Sequence, residues 1–339
     1  MKTYALRLAV AVSATAALAA LALVGVADRT IHAQGRPQLE VPVKHSGELD
    51  VVSVDGIDVV HVQGNVHMVV GAGPNLAAQI GDEGVLLVDT GTAANASKVI
   101  AAMRRMQPRA PLQYILNTQF KEEHTGGNDA IAKVGRRLKS NDNQAVVLAH
   151  EMVLTRMSAP TGQVNPRPVL AWPTDTFFTR TKELYFNDEP VIMHYRRALN
   201  DGDSFVYFRK SDVIAAGDIY MTTTFPHIDV AAGGHINGII EGLNDILEIS
   251  IPANNVEDGT LIIPGHGRIS DEYDVTVYRD MLTIIRDRVQ DAIKRGQSLA
   301  QVKADKRITL EFEDRHGSTS GPWTTDMFLE AIYQNLTSK

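Results

Sequence analysis

The sequence predicts an α/β fold in which helices cover β-sheet, and three observations support this. Short apolar runs alternate with Gly and Asp turn signals between residues 49 and 92, which is typical of consecutive strands. Helical and strand-like patterns then alternate as far as residue 275, and from Val275 onward the pattern is helical only. Interleaved strands and helices favour a layered α/β architecture over a helix bundle or a pure β-sandwich.

The elements are predicted in the following order. The first strands are read from "LDVVSVDG", "IDVVHVQG", "VHMVVGAG", "LAAQIGDEG" and "GVLLVDTG". A helix follows at residues 93–106, because Val99, Ile100, Met103 and Met106 fall near one face. The buried strand "LQYILNT" and a helix at 127–133 come next. Later strands are predicted at 145–149, 191–195, 204–208, 213–216 and in "GTLIIPGHG".

The last part of the chain is predicted to form helices that pack over the core. Apolar residues repeat four apart, Gly296 is suited to end a helix and Ser298 to cap the next one. The repeat consists of Met281, Ile285, Val289 and Ile293. We therefore expect one domain at residues 49–275 and a helical C-terminal extension at 276–339.

The N-terminus carries an export signal. Lys2 and Arg7 precede an uncharged run at residues 8–27, and the polar stretch "HAQGRPQ" follows it. This pattern favours a signal peptide at 1–33 with a linker at 34–48, and an uncleaved membrane anchor is the alternative. The expected location is periplasmic or secreted, with membrane attachment only through an uncleaved N-terminal segment.

Composition excludes several classes of function. The chain has 44% hydrophobic and 22% charged residues, as globular proteins do. Its net charge of −7 becomes about −9 once residues 1–33 are removed, and it has no basic block, so nucleic acid is a poor candidate partner and a small-molecule substrate is expected. The absence of cysteine excludes disulfides and thiolate chemistry.

Four segments share one design, an apolar strand that stops at an acidic residue or a histidine beside glycine. They are "VLLVDTG" with Asp89, "YILNTQFKEEHTGG" with Glu123 and His124, "VIAAGD" with Asp218, and "LIIPGHG" with His266. Strand ends form the crevice where ligands bind in layered α/β folds. Carboxylates and imidazoles brought together there suit a divalent metal ion.

At these segments the chain resembles the metallo-β-lactamase-fold hydrolases, over roughly residues 50–275. "LLVDTG", "HTGGN", "DGDSFVYF", "AGD" and "IPGHG" stand in the order found in that superfamily. The resemblance implies a four-layer αβ/βα sandwich with a metal site, often dinuclear zinc. It places the HxHxDH loop of the family on Gln119, Lys121, Glu123 and His124, and the histidine of its third segment on Leu199.

The resemblance implies that the first metal site is lost and the second is kept. The first site would need histidines at the positions of Gln119, Lys121 and Leu199. Glu123, His124, Asp218 and His266 retain two imidazoles and two carboxylates, which could hold one Zn²⁺ with an open position for water. Iron and manganese are not excluded, and His235 is an alternative source of a ligand.

Such a site implies hydrolysis of an ester, lactone, lactam or related bond, with Asp89 or Glu123 orienting or deprotonating the attacking water. We further expect the ammonium group of Lys121 to occupy the vacated region and pair with Asp218. Two alternatives stay open. Asp89, Asp218 and His266 could be structural residues of strand-end turns, and the protein could be a non-catalytic binding module of the cell envelope.

Overall fold

The computed structural model describes residues 50–136, 143–158, 167–253 and 259–338. Its strands form two sheets. The first sheet contains β1 (Val51–Val54), β2 (Ile57–Gln63), β3 (Val66–Val70), β4 (Leu76–Gly81), β5 (Gly84–Val88), β6 (Leu112–Leu116), β7 (Val146–His150) and β8 (Asp175–Phe177). The second contains β9 (Thr181–Phe186), β10 (Glu189–Tyr195), β11 (Ser204–Phe208), β12 (Val213–Ala215) and β13 (Leu261–Ile263).

Strand direction determines which residues meet at a sheet edge. The first sheet follows chain order, antiparallel from β1 to β5 and parallel from β5 to β8. The second has the order β13-β12-β11-β10-β9, and β12 and β13 are parallel. The residues that follow β5 and β6 therefore lie side by side at the carboxyl ends of these strands. In the second sheet, the residues that follow β12 and β13 do the same.

Helices cover the outer faces of both sheets. In the described residues they are α1 (Ala96–Met106), α2 (Glu122–Thr125), α3 (Asn128–Val134), α4 (Glu151–Ser158), α5 (Ile236–Ile249), α6 (Glu272–Lys294), α7 (Leu299–Ala304), α8 (Leu310–His316) and α9 (Thr325–Thr337). Short 3₁₀ turns at Ala93–Asn95, Val169–Ala171, Gly217–Ile219 and Lys306–Ile308 complete the set.

Separate apolar clusters fill the spaces between the layers. Between the sheets, Leu86 and Leu116 pack in one cluster with Val206 of the second sheet. On the outer face of the first sheet, Leu87 and Ile115 share a cluster with residues of α1 and α3. All five residues of β5 are buried, which explains its unbroken apolar sequence.

The outer face of the second sheet carries the third cluster, which joins Phe205 and Ile214 to Ile239 of α5, Leu282 of α6 and Phe328 of α9. The order of layers is thus helix, sheet, sheet, helix. This arrangement confirms the predicted four-layer αβ/βα sandwich with a helical C-terminal part.

Two strands, β8 and β9, lie where the sequence pattern indicated none. β9 has the sequence "TKELYF", and its residues alternate between exposed and partly buried positions up to the buried Phe186. A strand at the edge of its sheet needs few apolar residues, because it is covered on one side only. Because β9 is mostly polar, the pattern of apolar runs did not predict it.

Helix α6 crosses the expected boundary at residues 275 and 276 without interruption. A capping box starts this helix, in which the Asp271 side chain accepts from the Asp274 backbone N–H and the Asp274 side chain accepts in return. The expected signal segment 1–33 and linker 34–48 lie outside the described residues. Among the helices that the structure describes, none is long and apolar enough to cross a membrane.

Candidate metal centre

The two parallel strand pairs bring the four predicted segments to one region. Asp89 follows β5 directly, and Asn117 and Thr118 follow β6. In the second sheet, Asp218 follows β12 in a 3₁₀ turn and His266 follows β13. The ends of β5 and β6 thus supply one half of the region, and the ends of β12 and β13 supply the other.

His124 lies between two carboxylates at the centre of this region. Its side chain is fully buried, with Nδ1 2.8 Å from Asp89 Oδ2 and Nε2 3.1 Å from Asp218 Oδ2. Burial lowers the pKa of an imidazole, but here the charges of Asp218 and Asp89 outweigh it and raise the pKa of His124 well above its usual value. Conversely, burial would raise the pKa of Asp218, but the charge and hydrogen bond of His124 lower it overall.

The backbone after β5 holds His124 in place. The Thr90 N–H and the Thr90 hydroxyl both donate to the carbonyl of His124, at 2.8 and 3.1 Å. The same hydroxyl donates to Asn128 Oδ1, and the Asn128 amide donates to Asn117 Oδ1 at 2.8 Å. Asn128 is the last residue of "HTGGN", so this motif fixes the histidine through buried polar contacts.

Asp89 is committed to hydrogen bonds that orient His124. Its Oδ1 accepts from the Thr118 N–H at 2.8 Å, and its Oδ2 accepts from the Thr118 hydroxyl at 2.6 Å as well as facing His124 Nδ1. The residue is 2% exposed and has a positive φ of 61°, a region that non-glycine residues seldom adopt. The expectation that Asp89 deprotonates water is therefore revised, because its oxygens already have partners and it stands behind the histidine.

Asp218 presents a buried oxygen that has no hydrogen-bond donor in the described part of the chain. This atom is Oδ1, and His266 Nε2 lies 3.6 Å away from it. Potential ligand atoms of Glu123, His124 and Asp218 all lie within 4.8 Å of one another, and these three residues are called the metal group below. A buried carboxylate oxygen without a donor is costly, and a cation beside it removes the cost. The donor set of carboxylates and imidazoles fits one divalent ion of the zinc, iron or manganese type.

His266 borders this group from the side of the second sheet. Its side chain is 35% exposed, whereas those of His124 and Asp218 are 0% and 4% exposed. Glu123 is also partly exposed. The group is thus buried on the side of Asp89 and partly exposed on the side of Glu123 and His266.

Gln119, and not Lys121, contacts Asp218. The Gln119 amide nitrogen donates to Asp218 Oδ2 at 2.6 Å and lies 2.9 Å from His124 Nε2. Within the described residues the ammonium of Lys121 has no ion pair, although its charge helps to lower the pKa of Asp218. The predicted pairing of Lys121 with Asp218 is therefore wrong in this structure, because a neutral amide fills that position.

Two functional neighbours were missed by the motif comparison. The Asn200 amide donates to Gln119 Oε1 at 3.2 Å and to Asp203 Oδ1 at 2.8 Å, so it extends the polar network away from the metal group. Burial raises the pKa of Asp203 to about 7, against the lowering effects of its Asn200 N–H bond and of Lys121. Asp203 lies in the family segment "DGDSFVYF", and the polar Asn200 directly before that segment was the available signal.

Leu199 and His235 lie apart from the metal group. Leu199 is fully buried in the apolar cluster of the second sheet, which is consistent with a position that has lost a ligand. His235 caps α5, where its Nδ1 accepts from the Asn237 N–H at 3.1 Å, and it is not part of the group of possible ligands. It therefore does not replace a lost histidine.

His227 and Trp323 form an aromatic pair, with ring centroids 4.2 Å apart. Burial and then the charge of Lys121 lower the pKa of His227, while Glu123 and Asp218 oppose this effect. Asp229 is the largest of the charges that raise this pKa. Trp323 belongs to the irregular segment between α8 and α9, so the C-terminal part of the chain reaches the neighbourhood of the site.

Comparison with known structures supports the same fold. The structure of the stereoselective inverting sec-alkylsulfatase Pisa1 from Pseudomonas sp. is 14% identical with a TM-score of 0.58, and a double mutant of this sulfatase is 15% identical with a TM-score of 0.60. Each match covers 82% of this chain, but the chain spans only about half of the sulfatase, 50% of its length. At this identity the likeness concerns the fold alone.

A smaller similarity is found with the BLEG-1 B3 metallo-β-lactamase, at 20% identity and a TM-score of 0.49, covering 62% of this chain and 94% of the other. No curated protein sequence matches significantly. The family model of the metallo-β-lactamase superfamily matches residues 61–309, which includes both strand pairs and all four segments of the site. With this match and the αβ/βα sandwich in agreement, the chain belongs to the metallo-β-lactamase superfamily.

Proposed function

We propose that the protein is a metal-dependent hydrolase with a single-ion site formed by Glu123, His124, Asp218 and His266. One observation carries the proposal. Asp89 engages Nδ1 of His124 at 2.8 Å, so that Nε2 points toward Asp218, whose second oxygen has no donor in the described residues. A carboxylate behind a histidine is the arrangement that orients metal-binding imidazoles.

A Zn²⁺ ion held by these residues would supply Lewis acidity and lower the pKa of water. The chain's own residues divide the remaining tasks. Asp89 and Thr118 hold the ring of His124, and Gln119 holds one oxygen of Asp218. Glu123 and His266 lie on the exposed side, which faces water. Glu123 would take a proton on the carboxylate oxygen that it does not give to the ion.

The positive charge of Lys121 favours a substrate that is anionic or strongly polarised. It is partly buried, has no ion pair among the described residues, and its charge acts on Asp218, Asp203 and His227. An unpaired ammonium at this position is available to a substrate oxygen. Esters, lactones and lactams fit this description, and sulfate esters join them because the similar structures include a sec-alkylsulfatase. We also propose that the protein is exported, on the strength of its N-terminal sequence.

Metal content tests the site. The protein is purified without added metal, and zinc, iron and manganese are counted per chain before and after dialysis against each ion. About one ion per chain is expected, with loss of binding in His124→Ala and His266→Ala. His61→Ala serves as the control, because His61 is exposed on β2 and far along the chain from every proposed ligand. Binding that survives both site variants would contradict the assignment.

Hydrolysis is measured next with a panel of ester, lactone, lactam and sec-alkyl sulfate substrates. Turnover that requires the bound ion and falls in Lys121→Met supports the hydrolase. The second candidate, a non-catalytic binding module, is favoured by the contacts of Gln119 with both His124 and Asp218. A metal content near zero together with no metal-induced rise in Tm would favour that candidate.

A further inference from the structure

A cavity of about 230 Å³ lies between α1, α3 and the first sheet. Apolar side chains from these three elements form part of its wall, and residues 107–111 of the loop after α1 complete it. The apolar side chains are Val99, Ile100 and Met103 of α1, Leu112 of β6, and Ile131 and Val134 of α3. Val134 is 44% exposed, so part of the apolar wall faces solvent.

This cavity is distinct from the metal centre. It borders the beginnings of β5 and β6, at Val85 and Leu112, whereas Asp89 and Thr118 of the metal centre follow the ends of the same strands. A five-residue strand is about 16 Å long, at about 3.3 Å per residue. A ligand in the cavity therefore does not compete with a substrate at the metal centre.

Three arginines surround the apolar wall. Arg104, Arg109 and Arg136 all line the cavity, and within the described residues no carboxylate pairs with any of them. The chain as a whole has a net charge of −7, so three cations that lack a carboxylate partner among the described residues are not a by-product of a basic surface. Guanidinium groups bind carboxylates through paired, charge-assisted hydrogen bonds.

We propose that this cavity binds a free medium-chain carboxylate, with its alkyl tail along α1 and α3 and its head group among the arginines. The combination of an apolar wall with cations at its rim matches a molecule that is apolar at one end and anionic at the other. The concave shape and modest volume favour a single free chain over a membrane surface, which needs a broad face that inserts between head groups.

Calorimetric titration of the purified protein with decanoate tests the proposal. One molecule is expected to bind per chain, acetate should fail because it lacks the tail, and 1-octanol should bind more weakly because it lacks the charge. The combined variant Arg104→Gln, Arg109→Gln, Arg136→Gln should lose about tenfold or more in affinity. Arg105→Gln is the matched control, because Arg105 lies on the same helix but does not line the cavity.

A second variant separates binding from folding. Ile100→Trp fills the cavity while leaving the three arginines in place, and it should also weaken decanoate binding. Circular dichroism and thermal unfolding show whether each variant is folded. His266→Ala should bind decanoate as the parent does, which keeps this test independent of the metal centre. Equal affinity of the parent and the triple variant would overturn the proposal, as would binding to anionic vesicles without binding to free decanoate.

Discussion

The amide of Gln119 donates to Asp218 at 2.6 Å from a position that the family pattern assigns to a metal-binding histidine. The same amide accepts from Asn200 through its oxygen, so it links the metal group to the buried Asp203. A neutral amide thus stands at this position and holds one oxygen of Asp218 in place. The other oxygen has no hydrogen-bond donor among the described residues and faces the proposed ion site.

Replacing Gln119 with leucine should destabilise the metal-free protein. Gln119 is 1% exposed, and the substitution removes a donor from Asp218 and an acceptor from Asn200. Unpaired buried groups of this kind cost about 1–3 kcal/mol in the free energy of unfolding. Urea unfolding measures the change. Gln334→Leu, at an exposed position of α9, should have little effect, and a similar loss in both variants would contradict the role given to Gln119.

Asp89→Asn should weaken metal binding while leaving the fold intact. Asparagine tolerates the positive φ of 61° at this position, but it no longer attracts the proton on His124 Nδ1. Loss of such a supporting carboxylate lowers metal affinity by about 10- to 100-fold. A competition titration with a zinc-binding dye gives the affinity. Asp55→Asn is the matched control, since Asp55 has a similar φ of 52° in an exposed turn; unchanged affinity in Asp89→Asn would count against the orienting role.

Gly265→Ala should close the space beside the unpaired oxygen of Asp218. A Cβ atom at this position would lie 2.4 Å from Asp218 Oδ1 and 2.8 Å from the backbone of Gly217. We expect a lower Tm and a metal content well below one ion per chain. Gly202→Ala provides the comparison, because its new methyl group would lie no closer than 3.2 Å to Val153 and 3.3 Å to Asn200 Oδ1. Normal metal loading in Gly265→Ala would show that the ion lies elsewhere.

Stability should fall in acid partly because of His316. Burial, followed by the charge of Arg315, lowers the pKa of His316 to about 4. In the unfolded chain the pKa of this histidine is about 6.5, so between about pH 4 and 6.5 the unfolded chain binds more protons than the folded protein. His316 therefore contributes stability that is present above this pH range and is lost as the pH falls through it. Partial exposure limits the effect to about 1–3 kcal/mol.

Urea unfolding of the parent and of His316→Phe at pH 4.5 and pH 7 tests this effect. Phenylalanine keeps a ring against Phe225 and Tyr278, both of which contact His316, but cannot take up a proton. The difference in unfolding free energy between the two pH values should be smaller in His316→Phe. An equal difference in both proteins would exclude His316 as the source.

Much of the site could be predicted from the sequence, because apolar strand patterns place Asp89, Asp218 and His266 just after strand ends. The partners of these residues could not be predicted in the same way. Whether Gln119 or Lys121 reaches Asp218 depends on side-chain direction where β6 runs into α2, which periodicity does not report. The contact of Asn200 with Gln119 joins residues 81 positions apart, and no local pattern encodes it.

The four proposed ligands are divided equally between the two sheets. Glu123 and His124 belong to the part of the chain that builds the first sheet, and Asp218 and His266 to the part that builds the second. Neither half of the sandwich alone carries a complete centre, so a tightly held ion can be acquired only after the halves have assembled. A bound ion would then connect the two sheets, and it would be released when the sheets first separate during unfolding.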